Sequence, residues 1–456
     1  MNVLTTDIVV IGAGTAGSTA FREITRAGRA ALWIDHGPLG TTCARVGCMP
    51  SKAVLHAAHD WSLLRKLAGG APVAGTSADA LWARARATRD ALAQGAAQRT
   101  RAAAGERLLM GTARFVGPDE IDVDGQRVRA RAFVVATGSR PVVPPALAAL
   151  GERLLTTDSL FELERLPRSV GIVGLGAIGL EMGLALSRLG VRVVAGDLLD
   201  TVAGIVDPAV RERALQRFGR EVPMWLGHAM EAQAVPDGVR VSAGGQSETV
   251  EMVLAAIGRR PNVERLDLAQ AGVALDGKGR PQVDAVTLRA GGTSVILAGD
   301  VQPDRPLMHE AADEGVIAAQ GALALLDGRS PEVAPRRVPL SIVFSDPDVA
   351  TVGLPFDRLP AGAVVGTAEG SGNGRSRILG ATDSLVRVYA EPGSGTLVGA
   401  SLIATHGEHL AHLLAWAIQR RESASSLLEM PYYHPSVEEM LQSALKDVAS
   451  RLATNA

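Results

Sequence analysis

Cysteine is scarce: 456 residues hold two, Cys43 and Cys48. No apolar run approaches the roughly 18 residues of a membrane span, and no basic region or cleavage site precedes the first strand pattern at residues 7–11. Charge imbalance is missing too. The 46 Lys and Arg against 48 Asp and Glu leave a net charge of −2, so no field gathers phosphates and a nucleic-acid partner is not expected. With 47% hydrophobic and 21% charged residues, nothing argues for disorder. These absences point to a cytoplasmic protein off the membrane, in a compartment where a cysteine pair is more often catalytic than structural.

What is present fills about three domains at ordinary sizes. Both cysteines lie in Gly40-Thr-Thr-Cys-Ala-Arg-Val-Gly-Cys-Met-Pro-Ser-Lys52. Five positions apart on a regular helix puts their Cα atoms about 8–9 Å apart, beyond the roughly 4.4–6.8 Å of a disulfide. If they bond, the chain there is bent or unwound, and Gly47 permits it. Pro50 can then open a helix with Ser51 and Lys52 in its first turn. A thiol at a helix start beside Lys52 has a lowered pKa. Two buried structural cysteines is the other reading these residues allow.

Strand 7–11 runs into Gly12-Ala-Gly14-Thr-Ala-Gly17, an amphipathic stretch to Ala27, and a second strand, 30–34, ending at Asp35. In that setting Gly12 makes the turn, Gly14 lets backbone approach a pyrophosphate, and Gly17 lets helix and strand meet closely. The helix N-terminus faces the phosphates and Asp35 accepts from a ribose hydroxyl. The pattern recurs with strand 170–173, Gly174-Leu-Gly176-Ala-Ile-Gly179, helix 180–189, strand 191–195 and Asp197. One chain therefore binds two dinucleotides. An acid at the second site suits a free 2′-hydroxyl, hence NAD rather than NADP; the nearest base, Arg192, is five positions earlier.

Between the fingerprints lies a long Ala/Arg-rich helical region, broken near Gly69-Gly70-Ala-Pro72 and at Gly105. Its Arg84, Arg86, Arg89, Arg99 and Arg101 read as a solvated face. Short strands follow at 113–116, 121–123 and 127–130, with Asp124-Gly125 as a hairpin turn, then an apolar strand from Phe133 into Ala136-Thr-Gly138 and a Pro-rich linker. Residues 255–262 close the second unit, 293–300 form a strand ending in Gly-Asp, and a helix spans about 309–326. The remainder alternates strands (341–344, 384–390, 397–403) with helices. His406, His409 and His412 repeat at a spacing that can mimic a metal face, but no carboxylate or thiol completes it. An interface helix is expected there, and no metal site.

Two dinucleotide folds around a Cys-x4-Cys resemble the disulfide-reducing flavoproteins, the family of dihydrolipoamide dehydrogenase, glutathione reductase and mercuric reductase. The likeness covers essentially the whole chain and is carried by residues 40–52, Ala136-Thr-Gly138, Ala298-Gly-Asp300 and Tyr433-His-Pro-Ser-Val-Glu-Glu439. It is most similar to dihydrolipoamide dehydrogenases. The resemblance implies an α/β chain with two Rossmann-like, three-layer domains and a C-terminal α+β dimerisation domain. The expected division is 1–148 with 271–335 for FAD, 149–270 for NAD and 336–456 for the interface.

The resemblance also implies roles. FAD sits on Gly12, Gly14, Gly17 and Asp35, with Thr42, Thr137, Gly138 and Asp300, and with Met308 and His309 opening a helix toward the flavin. NAD sits on Gly174, Gly176, Gly179, Asp197 and Gly258. Cys43 and Cys48 form the redox disulfide, Cys43 exchanging with substrate and Cys48 beside the flavin. Lys52 pairs with Glu181. His434, oriented by Glu439, is the acid–base group and comes from the partner subunit across a cis His-Pro bond, which implies a homodimer with shared sites.

The expected reaction is oxidation of a dihydrolipoyl group by NAD, the substrate being a small dithiol or the lipoyl domain of a carrier. Alternatives are an NAD(P)H-dependent reductase of another small disulfide and a flavoprotein subunit or redox partner of a larger complex. Tyr432 stands where many lipoamide enzymes carry a second histidine, which bears on the substrate. A C-terminal cysteine pair, needed in mercuric reductase, is absent from residues 451–456, and Asp197 disfavours glutathione reductase.

Overall fold

The structure, a computed structural model, describes residues 3–71, 73–302 and 304–455; Pro72 of the expected helix break and Ala456 of the tail lie outside them. Near-continuous apolar runs such as Ile8-Val-Val-Ile11 suit strands covered on both faces, and all four residues are at most 4% exposed. The first sheet has a parallel core ordered Leu108–Met110, Ala31–Asp35, Leu4–Ile11, Gln126–Val135, Val295–Leu297. Ile8 sits between Ala31 and Ala132 in register. Strands expected at 127–130 and from 133 onward are one strand: residues 126–129 pair antiparallel with Glu120–Val123 on one edge, and residues 128–135 pair parallel with Leu4–Ile11 on the other. Asp124 and Gly125 turn with φ 48° and 93°, as a two-residue hairpin requires.

The second sheet is all parallel, ordered Met224–Leu226, Arg192–Asp197, Ser169–Val173, Met252–Ala255, Leu154–Leu155. A three-stranded antiparallel meander, Glu231–Val235, Gly238–Ala243 and Gln246–Val250, is absent from the sequence reading. It covers the sheet so closely that a Cβ on Gly171 would lie 2.9 Å from Val241. Ser139–Pro141 and Arg259–Pro261 pair antiparallel and tie the two units together.

The last unit is a five-stranded antiparallel sheet flanked by helices Gly407–Gln419 and Glu439–Asn455. Two of its strands, Asp348–Gly353 and Val364–Glu369, were not expected; glycines and charges blur their alternation. Fully buried Asp207, which N-caps helix Pro208–Phe218 of the second unit, accepts from Arg387 (2.7 Å) and the Tyr389 hydroxyl (2.6 Å) of this sheet. Among the described residues no helix is long and apolar enough to cross a membrane.

Candidate active site

The chain does bend at Gly47. Cys43 lies on the five-residue helix Thr42–Val46 and Cys48 opens the helix Cys48–Leu67. A Cβ on Gly47 would be 3.2 Å from both Cys43 Cα and Thr42 O, so the bend needs a bare backbone there. The second helix begins two residues earlier than expected: Pro50 occupies its third position, still among the N–H groups that have no intrahelical partner. Thr41 caps the first helix, its Oγ1 accepting from Ala44 N at 3.1 Å, with φ 61° and ψ 146°. That is a costly conformation for a β-branched residue.

The pair is in the dithiol form, and its two sulfurs are unequal. The hydrogen bond donated by the Cys43 thiol is the largest influence on Cys48, bringing it down to about 7; the Lys52 charge adds to this against burial. Donating that bond pushes Cys43 far above the usual thiol range. Cys48 is thus the thiolate of the pair. Lys52 Nζ reaches both carboxylate oxygens of Glu181 at 2.8 Å. Glu181, 4% exposed, also accepts from Phe344 N at 3.1 Å, and the Phe344 ring lies 4.6 Å from the ammonium. Breaking such a pair strands a buried carboxylate, a loss of about 3–5 kcal/mol.

Cys43, Cys48, Lys52 and Glu181 line one cavity of about 940 Å³, which also takes in Gly14, Thr42, Gly138, Asp300, Met308, Gly174, Gly176, Asp197 and Gly258. The glycines fit a dinucleotide cradle. Gly12 turns with φ 106° and its Cβ would lie 2.2 Å from Ala136 O, while a Cβ on Gly17 would lie 1.9 Å from Gly12 O. A Cβ on Gly14 meets nothing, leaving the open approach a pyrophosphate needs. Gly174, Gly179 and Gly176 repeat all three features: φ 97° with 2.6 Å to Ala256 O, 1.9 Å to Gly174 O, and open space.

Other expected residues are placed differently. Asp35 accepts from Ala13 N and Gly37 N, both at 2.6 Å, and Asp197 from Leu175 N (2.6 Å) and Leu199 N (2.9 Å). Each acid fastens its own Gly-rich turn; Asp197 lines the cavity, whereas Asp35, Gly12, Gly17 and Gly179 are not among its lining residues. The Thr137 hydroxyl turns to Asn262 O at 2.8 Å, and neither Thr137 nor His309 is among the lining residues. His434 and Glu439 do not line the cavity within one chain. They are brought together with each other: His434 Nδ1 lies 3.0 Å from Glu439 Oε1, and Glu439 Oε2 accepts from Ser436 N at 3.0 Å. The Ser436 and His434 hydrogen bonds hold the Glu439 carboxyl below its usual range. The His434–Pro435 bond is cis and His434 is exposed. The helix starts at Glu439, so that acid is in its first turn.

Three supporting residues escaped the sequence reading. Glu314, 1% exposed, accepts from Gly299 N at 2.7 Å and so ties the Gly299-Asp300 turn to helix Met308–Leu326; Arg336 neutralises it at 2.6 Å. Burial pushes the Glu314 carboxyl up. Phe344 is the second. Arg89 is the third and a correction: it is 5% exposed, not part of a solvated face, and Arg86 beside it donates to Phe161 O at 3.2 Å. Both turn inward because carbonyls from a distant segment need donors there. His406 and His409 rings stand 6.2 Å apart, and no group of three metal-ligating side chains exists among the described residues.

Residues 6–315 match the pyridine nucleotide-disulphide oxidoreductase family and residues 339–445 match its dimerisation domain. The dihydrolipoyl dehydrogenase of Thermus scotoductus is 31% identical, covering 96% of each chain. Dihydrolipoyl dehydrogenase 3 of Pseudomonas aeruginosa is 30% identical, covering 98% of this chain and 99% of its own. Among solved structures, LpdA from Mycobacterium tuberculosis superposes with a TM-score of 0.83 at 25% identity, covering 97% of this chain and 99% of that one. The HOCl-induced flavoprotein disulfide reductase RclA from Escherichia coli has the same fold, with a TM-score of 0.84 at 21% identity over 96% of this chain and 99% of its own. A bent dithiol, two glycine cradles on one cavity and these matches converge: the chain belongs to the pyridine nucleotide-disulphide oxidoreductase family, an FAD-dependent, NAD-linked enzyme acting on sulfur groups.

Proposed function

We propose that the protein is a dihydrolipoyl dehydrogenase, acting as a homodimer that oxidises a dihydrolipoyl group and passes its electrons to NAD. The observation that carries this is the geometry of the pair: Cys43 and Cys48 meet across the bend at Gly47, beside the Lys52–Glu181 pair, on the cavity that Gly14 and Gly176 of the two cradles also line. FAD, when bound, supplies the two-electron relay between that pair and the hydride chemistry of NAD.

The chain's own part runs as follows. A substrate thiolate attacks Cys43 Sγ of the disulfide; the S–S bond breaks and Cys48 departs as thiolate, the better leaving group because its pKa is lower. Lys52, held by Glu181 and the Phe344 ring, stabilises that charge. The second substrate thiol, its proton removed by a base, attacks the substrate sulfur of the mixed disulfide and releases Cys43. His434 of the partner subunit is assigned as that base, with Glu439 orienting the ring. Two supports stand behind the sharing: the dimerisation-domain match, and the exposure of His434 outside its own chain's cavity. A cysteine pair kept for redox work suits a cytosolic enzyme.

A second reading, reduction of another small disulfide, is favoured by Tyr432, whose hydroxyl is turned to Leu427 O at 3.2 Å and offers no second imidazole at the approach to the base. NADH- and NADPH-coupled assays against lipoamide, a lipoyl domain, glutathione disulfide and other disulfides separate the two. Turnover of lipoamide far below that of another disulfide removes the first reading.

A further inference from the structure

Arg89 lies on helix Ala78–Ala104, well along the chain from the cysteines, yet its side chain is 5% exposed and reaches the redox bend. Its Nη1 donates to Arg45 O at 3.3 Å and to Glu162 Oε1 at 2.7 Å; its Nη2 donates to Phe161 O at 3.3 Å and to Glu162 Oε2 at 3.3 Å. Its Nε is 2.6 Å from Asp90 Oδ1 without hydrogen-bond geometry. Arg45 sits between the two cysteines, in the last turn of the five-residue helix that carries Cys43. The break at Gly47 takes from that turn the N–H groups a continuing helix would supply. Arg89 fills part of this gap from outside, while the strained Thr41 fixes the other end. A helix of five residues has little stability of its own, so its placement is set by these two grips.

We infer that Arg89 is a positioning residue for the redox pair: by holding the Arg45 carbonyl it keeps the Cys43 helix docked, and so sets how readily Cys43 and Cys48 form their disulfide. Releasing the helix frees Cys43 in the dithiol and lowers its effective concentration beside Cys48. The inference rests on the redox-pair reading above, but its test does not depend on lipoyl turnover.

The purified holoenzyme is equilibrated with glutathione redox buffers and the fraction of alkylatable Cys43 and Cys48 is counted. In this exchange the Cys43–Cys48 bond breaks as two glutathione thiols give up two electrons and two protons and become glutathione disulfide. Arg89→Met is expected to shift the equilibrium about tenfold toward the dithiol, roughly 30 mV. The Cys48 thiolate absorbance titrates at higher pH in the same variant. Arg89→Lys, which keeps the charge and a donor, shifts it less. Arg84→Gln, on the exposed face of the same helix, leaves it in place. An equilibrium unmoved in folded Arg89→Met overturns the inference; if that variant does not fold, an unmoved equilibrium in Arg89→Lys does so. A wild-type pair that never forms a disulfide overturns the functional reading instead.

Discussion

In the first nucleotide cradle Gly12 turns at φ 106°, and in the second Gly174 turns at 97°. A Cβ on Gly17 or on Gly179 would come to 1.9 Å from the carbonyl oxygen of its turn glycine. Asp35 and Asp197 each accept a 2.6 Å bond from the turn backbone, at Ala13 and Leu175. The two part after the acid. Past Asp35 the chain buries Leu39, strains Thr41 and enters the helix of Cys43. Past Asp197 it presents Leu198 and Leu199 along the cavity, 68% and 59% exposed. The cradle is thus a generic holder, and the reactivity lies in what is spliced after its second strand. One copy carries the sulfur chemistry; the other offers apolar surface and a docking place.

That division is broken most severely at the sulfurs. Cys43→Ser or Cys48→Ser is expected to reduce disulfide turnover to background while NADH oxidation by an artificial electron acceptor persists. Stopped-flow measurement of both half-reactions checks it, and loss of both together would remove the sulfur chemistry from the first copy alone. His434→Ala comes next: disulfide turnover falls by about 10²–10⁴-fold, the scale of a lost acid–base group, with flavin reduction by NADH nearly intact. Mixing His434→Ala with Cys48→Ser subunits should give heterodimers with one intact site and one dead site, about half the wild-type turnover where each parent homodimer has almost none, if the base crosses the interface.

The cradles themselves are separable by paired substitutions. Alanine at Gly174 must adopt φ near 97° with its Cβ 2.6 Å from Ala256 O. The left-handed strain alone is about 1–2 kcal/mol, a factor of about 5–30. Gly174→Ala is therefore expected to weaken NAD by that factor or more in titrations while the protein keeps its yellow colour. Gly12→Ala, with 2.2 Å to Ala136 O, should do the reverse and lose flavin. If either change removes both nucleotides equally, the two cradles are not independent holders.

The cradles were legible in the sequence because each is local: three glycines, a strand before, a helix after and an acid at fixed spacing. The bend at Gly47 was legible for the same reason. What escaped depends on contacts between distant segments. Arg89 follows Arg84 and Arg86 in an Ala-rich helix, and only the carbonyls of Arg45 and Phe161 and the carboxylate of Glu162 turn it inward. Glu314 looks like one more acid after Glu310, yet Gly299 N and Arg336 bury it. The meander from Glu231 to Val250 has too many polar positions to declare its packed face. Glu181, an ordinary helix acid by pattern, was expected as the Lys52 partner only through the family resemblance; what the sequence did not show is Phe344 of a third unit closing over the pair.

The smallest effect tests how that pair acts on the sulfurs. The Cys43 hydrogen bond does most to bring Cys48 down to about 7; the Lys52 charge adds to that lowering, whereas Glu181 opposes it. A thiol lowered by folding contributes stability above the ordinary thiol range, and that stability is lost as pH falls through the folded value near 7. Lys52→Met should therefore move the pH midpoint of Cys48 alkylation upward and shrink the rise in stability between pH about 7 and 9. Glu181→Gln removes the opposing charge, and by charge alone it moves the midpoint downward. Should both variants move it upward, Glu181 acts chiefly by holding Lys52 in place: the geometry of the pair, set by helix Ala177–Arg188 of the second unit, would then outweigh its net charge at the first unit's sulfur.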